Sequence, residues 1–337
     1  MLNVFLISYS VMAAIIGAGF ASGQEILLYF ACFGRYGIIG IGVTVIFFGI
    51  FSYAVLYACH KNKITDYDSF LKLFKFQASR KTVKAITLLF AFAVYGAMLS
   101  ASGEMLYDLF GISKASGALF CTICAILLFT FANEKVFTLN GVLGTGLVIV
   151  ITFCVLYMLF YREYHAFSPI YIKSANSGLV YSGYNLISLT PVLVSLSKKL
   201  RHKTDCTAVT MSISVMSAII MTLIFVLISI YANKISLGEL PMLTLAKRQS
   251  PGFALLYSSV LTVAIFTTLI SSGGALCSAL KIQKQPSKIA LLSSSAYLFS
   301  GLGFSTLVNT AYRICGVAGF IACIAIICVC FSSKKLF

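Results

Sequence analysis

Mostly apolar stretches of about 20 residues or more follow one another along almost the whole chain. A helix of that length crosses the hydrocarbon core of a bilayer, which is about 30 Å thick. Of the 337 residues, 60% are hydrophobic and only 10% are charged, which leaves too little polar surface for a water-soluble domain. The chain is therefore expected to be an all-α membrane protein with a single transmembrane domain over residues 1–337.

Charge clusters, glycines and prolines divide this apolar sequence into ten predicted transmembrane helices. They cover residues 4–33, 36–59, 83–110, 115–132, 136–161, 176–197, 206–232, 252–280, 287–303 and 306–332. An amphipathic segment at about 64–76 is predicted to lie in the membrane interface. The order of features repeats after five spans, which predicts two inverted repeats, at about 4–161 and 176–332.

Basic residues indicate the orientation of these spans. With the N-terminus inside, 17 Lys and Arg residues fall in cytoplasmic loops and 7 in external loops. Both termini are therefore expected in the cytoplasm and the chain in the inner membrane.

The basic residues that give the net charge of +16 are scattered over short loops, so they form no continuous basic surface that could bind nucleic acid. The first span lacks a basic leader and a cleavage site, so no signal peptide is expected. The expected partners are the lipid bilayer and a small solute, and the pattern says nothing of oligomeric state.

No pattern typical of an enzyme or a resident cofactor is present. The sequence contains neither H-E-x-x-H nor G-x-S-x-G, and its three histidines, His60, His165 and His202, map to predicted loops. Most of the eleven cysteines lie inside apolar spans, where cysteine behaves as a small hydrophobe. The Cys121 and Cys124 pair is interpreted in the same way. The chain is therefore not expected to be an enzyme, and a bound sodium ion is the only cofactor considered below.

The first span contains the string GAGFASGQE from Gly17 to Glu25. Each glycine inside a helix costs about 1 kcal/mol relative to alanine, and the polar residues that follow would face hydrocarbon. Irregular backbone at membrane depth is tolerated where it faces protein or a water-filled cavity. Close helix packing through small residues is the alternative. Glu25 favours function, since an ionisable residue inside a span is usually functional.

The sixth span carries the run from Tyr181 to Pro191, which is polar for a membrane helix. Proline removes a backbone donor and clashes with the preceding turn, so the helix is predicted to kink or open around Asn185 to Ser188. A simple kink, with the tyrosine hydroxyls bonded to neighbours, is the alternative.

Hydroxyl residues cluster in the eighth span. Thr267 shares a helical face with Ser271, and Thr268 shares one with Ser272, because these residues are four apart. Two such oxygens together with carbonyls from a broken helix suit sodium. Ser and Thr also commonly bond back to their own helix, so the signal is weak alone.

Arg313 lies inside the tenth span, and Glu104 lies at comparable depth in the third. An unpaired charge there is costly, so Arg313 is predicted to face Glu104, Asp108 or Glu25 in an outer gate. A purely structural ion pair is the alternative.

The strings GAGFASGQE and YSGYN, at 17–25 and 181–185, resemble those of the YkvI-like bacterial membrane proteins. That family looks like a branch of the amino acid–polyamine–organocation superfamily, which implies the LeuT-type fold with discontinuous helices 1 and 6. The resemblance implies a substrate site lined by Ala18, Gly19, Phe20, Ala21, Ser22, Gly23, Gln24, Tyr181, Tyr184, Asn185 and Ser188.

The resemblance also implies how an ion would be coupled to transport. It implies a sodium site between helices 1 and 8, formed by Gly17, Ala21, Thr267 and Ser271, with Thr268 and Ser272 nearby. Sodium-coupled relatives typically have an Asn in helix 1 at a second ion site, where this chain has Gln24 and Glu25. Glu25 is therefore a candidate proton carrier that would replace an ion.

The function expected from these observations is secondary active transport of a small solute such as an amino acid or amine, driven by sodium or protons. A membrane sensor that retains a transporter fold is the alternative. A channel is a less favoured alternative, because its pore would need repeated rings of polar residues, whereas the polar groups of this chain converge at one level.

Overall fold

The computed structural model describes residues 2–131, 134–160, 174–231, 238–283 and 285–332, and every regular element in these ranges is helical. The α-helices are numbered in chain order, and one 3-10 helix, Ala31–Tyr36, follows the third. They are α1 Leu2–Ile15, α2 Ala18–Ala21, α3 Gln24–Tyr29, α4 Gly37–Asn62, α5 Tyr67–Leu71, α6 Gln77–Phe110, α7 Lys114–Phe131, α8 Glu134–Phe160, α9 Ser174–Ser197, α10 Lys203–Tyr231, α11 Pro241–Gln249, α12 Pro251–Ala279, α13 Pro286–Ser300, α14 Phe304–Asn309 and α15 Ala311–Ser332.

Each predicted span coincides with one helix or with a group of helices. The first span corresponds to α1 through α3 and the tenth to α14 with α15. Within the described residues, seven helical segments are long and apolar enough to cross a membrane, and the segments Val4–Ile15 and Gly146–Phe160 are apolar but shorter. An all-helical, multi-pass membrane protein is thus confirmed, while ten spans in two inverted repeats stay a prediction. His165 lies outside the described residues.

The first span is interrupted, as the sequence predicts. Helix α1 ends at Ile15, and Gly17 adopts an extended conformation with φ −80° and ψ −176° before α2 begins. Gly23, between α2 and α3, has a φ of 79°. Only glycine enters that left-handed region without strain. Glycine therefore permits the change of direction at Gly23, and the two interruptions leave α2 as a four-residue turn in the middle of the span.

The sixth span is continuous, so the prediction that it opens around Asn185 to Ser188 is wrong. Helix α9 runs unbroken through Pro191. Two of its polar side chains bond to carbonyls of their own helix: Asn185 Nδ2 donates to Tyr181 O at 3.1 Å, and Ser188 Oγ donates to Asn185 O at 2.9 Å. These polar groups are satisfied locally, so they do not require the helix to open.

Glycines of α9 serve close packing with neighbouring helices. A Cβ on Gly183 would overlap the carbonyl of Gly316 in α15, and a Cβ on Gly178 would overlap the carbonyl of Gly40 in α4. Small residues at such crossings let helix backbones approach, which stabilises membrane helices through van der Waals contact. Gly183, in the middle of the polar run of the sixth span, is therefore a packing residue.

The amphipathic segment after α4 forms a shorter helix than predicted. Helix α5 covers Tyr67–Leu71 instead of 64–76. Its first turn is capped by Asp66, whose carboxylate accepts the N–H of Ser69 at 2.8 Å. Phe70 and Phe74 are buried against the core, as the apolar face predicts.

Candidate substrate and ion site

Helix α12 closes over the interruption at Gly17. The hydroxyl of Thr268 accepts the N–H of Ala18 at 3.1 Å and donates to the carbonyl of Ala264 at 2.8 Å. It therefore caps the first free amide of α2. The sequence leaves the pairs Thr267–Ser271 and Thr268–Ser272 open, and the resemblance favours the first, but the hydroxyl that reaches the break is that of Thr268.

The four residues predicted to hold sodium have protein partners or exposed positions in this conformation. The carbonyl of Ala21 accepts the hydroxyl of Tyr257 at 2.6 Å, and the carbonyl of Gly17 accepts the N–H of Ala21 at 2.9 Å. Thr267 donates to Ala264 O at 3.0 Å, and Ser271 is exposed. The sodium site stays a prediction, and an ion there would share the carbonyl of Ala21 with Tyr257. Ser272, the remaining hydroxyl of the group, donates to the carbonyl of Thr268 at 2.8 Å.

Glu25 lies in the first turn of α3, directly after the interrupted segment. Its side chain folds back onto α2, and a Cβ on Gly19 would overlap its carboxylate oxygen. The residue is only 7% exposed. The hydroxyls of Tyr181 and Tyr184 on α9 lie beside the same carboxylate. The structure thus brings together the polar residues that the sequence singles out in the first and sixth spans.

Aromatic rings surround the tyrosine hydroxyls next to Glu25. Tyr29 contacts Tyr181 and Tyr184 with ring centroids 5.7 and 5.6 Å apart, and Tyr312 lies 5.3 Å from Tyr184. Phe90 lies 5.1 Å from Tyr184. The hydroxyls of Tyr181 and Tyr184 are buried and form no hydrogen bond of normal geometry with any described residue. The cluster is therefore polar at its centre, apolar around it and incompletely satisfied.

Sequence reasoning missed Tyr29, Tyr312 and Phe90 as part of this cluster. Tyr29 could have been predicted from its spacing, because it lies four residues after Glu25 and hence on the same face of α3. Nothing in the sequence distinguishes Tyr312 and Phe90, since isolated aromatic residues are common in every apolar span.

Other predicted site residues occupy different surroundings. Phe20 is buried in the core, and Asn185 is largely buried on α9 beside Tyr181. Ser188 is exposed one turn further along α9. Ser22 donates through its hydroxyl to the carbonyl of Gly19 at 2.9 Å, which tightens the turn between α2 and α3.

Helix α11 covers the far end of the interruption. Met242 donates its backbone N–H to the carbonyl of Ser22 at 2.9 Å, and its side chain lies where a Cβ of Gly23 would be. Gln24 reaches Ser305 of α14 with Nε2 to Oγ at 2.6 Å. Ser305 in turn donates its N–H to the carboxylate of Glu239, just before α11. Hydrogen bonds therefore connect the interrupted segment to α11 and α14, which cover it on this side.

The predicted pairing of Arg313 with a carboxylate is wrong. Glu104 pairs with Lys114 at 2.6 Å, and Asp108 pairs with Lys247 at 3.2 Å. The guanidinium of Arg313 instead lies 5.5 Å from the ring centre of Tyr29 and 3.4 Å from the carbonyl of Leu28. Lys114 begins α7 only a short turn after α6, so it reaches Glu104 more directly than Arg313 does.

Replacing Thr268 with Val is expected to destabilise the protein by about 1–3 kcal/mol, because the N–H of Ala18 loses its buried partner. Thr262→Val in the same helix is the matched control, since its hydroxyl bonds only to the carbonyl of Ser258 one turn away. Denaturation of both purified variants in detergent checks this. Equal losses of stability in the two variants would contradict the capping role of Thr268.

Comparison with known proteins gives relatives over nearly the full length. No protein-family model matches the chain. It is 22% identical to the uncharacterised membrane protein YkvI of Bacillus subtilis, over 96% of this chain and 94% of that protein. It is 21% identical to the uncharacterised protein YyaD of the same organism, over 91% of each chain.

The fold matches that of a membrane transporter of known structure. Two variants of a manganese transporter from Eremococcus coleocola superpose with TM-scores of 0.53 and 0.52. Each alignment covers 94% of this chain and 77% of the transporter, at 15% and 14% identity. At that identity the match shows the fold. The full-length similarity to YkvI and the shared transporter fold confirm the resemblance of this chain to the YkvI-like membrane proteins.

Proposed function

We propose that this chain is a secondary active transporter that moves a small solute, such as an amino acid or an amine, together with protons or sodium. The observation that carries the proposal is the position of Glu25, buried at an interrupted membrane helix and beside two tyrosine hydroxyls of α9. Irregular backbone and ionisable groups at membrane depth are tolerated where they bind a polar solute or an ion.

The surroundings of Glu25 favour protons over sodium as the coupling ion. None of the ion pairs between described residues involves this carboxylate. A charged carboxylate in such a site is costly unless a proton or a cation neutralises it. Sodium at Gly17 and Ala21 would have to share the carbonyl of Ala21 with the hydroxyl of Tyr257.

One side of the site is covered in this conformation. Met242 of helix α11 donates its backbone N–H to the carbonyl of Ser22 at 2.9 Å. Alternating access requires the covering elements to move, so we interpret this conformation as closed toward α11.

An organic solute is proposed as cargo in preference to a metal ion, although the structural neighbour is a manganese transporter. Within the described residues, no group of three or more His, Cys, Asp and Glu side chains could hold a metal ion. The polar groups that do converge are one carboxylate and two phenol hydroxyls, which suit hydrogen bonding to an organic molecule.

A ligand screen followed by transport tests the proposal. Purified full-length protein is heated with amino acids, amines, nucleobases or Mn²⁺, with and without sodium. A ligand at 100 times its dissociation constant stabilises the native state by about 2.7 kcal/mol. The stabilising compound is then tested for counterflow uptake in proteoliposomes. Saturable counterflow is expected, and binding without accumulation would indicate a sensor instead.

A further inference from the structure

A cavity with basic side chains in its wall lies outside this site, where the C-terminal ends of α4 and α9 meet. Its volume is about 390 Å³. The side chains that line it include three basic groups and two hydroxyls, those of His60, Lys63, Lys198, Thr65 and Ser197. Nothing in the transport proposal uses these residues.

Hydrogen bonds hold the walls of the cavity in place. Lys63 ends α4 in the left-handed region, with φ 53° and ψ 36°, and its N–H donates to the carbonyl of Cys59. Ile64 donates its N–H to the same carbonyl at 2.9 Å, and its own carbonyl accepts the hydroxyl of Ser197 at 3.1 Å. These hydrogen bonds connect the loop after α4 to the end of α9. The backbone that carries Lys63 and Lys198 is therefore held in a defined position.

No ion pair between described residues joins a carboxylate to His60, Lys63 or Lys198. The two carboxylates in the adjoining loops accept backbone N–H groups instead: Ser69 donates to Asp66, and Arg201 and His202 donate to Asp205. Among the described residues that line the cavity, none is acidic.

The two helices that end at the cavity are longer than the hydrocarbon core is thick. Helix α4 has 26 residues and α9 has 24, which correspond to about 39 and 36 Å at 1.5 Å per residue. The hydrocarbon core is only about 30 Å thick. The ends of helices of this length reach the headgroup layer, where lipid phosphates lie.

We propose that this cavity binds a phosphate group, presented by an anionic phospholipid headgroup or free in solution. Ammonium, imidazole and hydroxyl groups all donate hydrogen bonds to phosphate oxygens, and basic pockets between membrane helices bind anionic headgroups. The simpler interpretation is that Lys63 and Lys198 only complement the carbonyls at helix C-termini. That role needs no ligand, so the two interpretations differ in their response to phosphate.

The test compares two full-length triple variants in lipid nanodiscs. The cavity variant carries His60→Gln, Lys63→Asn and Lys198→Gln, with Asn chosen because it tolerates a positive φ. The control variant removes the same groups elsewhere, with Lys75→Gln, His202→Gln and Lys288→Gln. The thermal unfolding midpoint is followed while phosphatidylglycerol is raised in a phosphatidylcholine background at constant ionic strength.

Phosphatidylglycerol is expected to raise the unfolding temperature of the unmodified protein. The cavity variant should require about 25 times more of this lipid for the same shift, since each of the two lysines contributes about a factor of five. The control should stay close to the unmodified protein.

A parallel series adds inorganic phosphate to nanodiscs of phosphatidylcholine alone. A shift in this series that the cavity variant loses assigns the site to free phosphate, and a shift with phosphatidylglycerol alone assigns it to lipid. The proposal is overturned if neither compound stabilises the unmodified protein, or if the cavity and control variants respond equally.

Discussion

Replacing Glu25 with Gln is expected to reduce uptake driven by a pH gradient to the level of protein-free vesicles. The amide keeps the size of the side chain and its packing against Gly19, but it cannot bind and release a proton. Uptake into proteoliposomes with an imposed pH gradient measures this, with the solute found in the ligand screen. The pH dependence of uptake should disappear together with the gradient-driven component.

Glu104→Gln is the control for this experiment. Its carboxylate also lies within a membrane helix, but it pairs with Lys114 and takes no part in the cluster around Tyr184. This variant should retain gradient-driven uptake. If Glu25→Gln transports with an unchanged pH dependence, Glu25 has no role in coupling. If Glu25→Gln loses only the proton-driven component and keeps a sodium-driven one, both ions drive transport.

Replacing Gly183 with Ala is expected to cause the largest loss of stability. The added methyl group would overlap the carbonyl of Gly316 and the backbone nitrogen of Phe320, neither of which belongs to a flexible side chain. Helices α9 and α15 must therefore separate. Overpacking of this kind costs about 1–3 kcal/mol, and backbone contacts favour the upper end of that range. Thermal unfolding in detergent measures the loss.

Gly42→Ala provides the comparison, because no atom lies within 4 Å of the position that its Cβ would take. Alanine is the better helix former by about 1 kcal/mol, so this variant should be as stable as the unmodified protein or slightly more so. Equal unfolding temperatures for the two variants would show that α9 and α15 do not pack as closely as the structure indicates.

Much of the candidate site was predictable because its signals are local. The run from Gly17 to Glu25 combines poor helix formers with polar groups in an apolar span, and the structure interrupts the helix there. The second run, around Tyr184, lies beside Glu25 in the structure. Its predicted conformation was wrong, because Asn185 and Ser188 satisfy their side chains on their own helix.

Local sequence patterns could not predict which of two neighbouring threonine hydroxyls contacts the interrupted helix. Thr267 and Thr268 are equivalent in the sequence, and each can pair with a serine four residues later. Only the rotation of α12 against the first span turns Thr268 toward Ala18. In the same way, Tyr257 competes for the carbonyl of Ala21 from a position 236 residues away.

The amino-acid sequence by itself determined the membrane-embedded helices and the interruption of the first one, because hydropathy and glycine content act on each segment separately. Tertiary structure alone decided that Arg313 lies over Tyr29 while Glu104 pairs with Lys114. Charges in a membrane must find partners, but which partner they find depends on distances between helices that no single segment encodes.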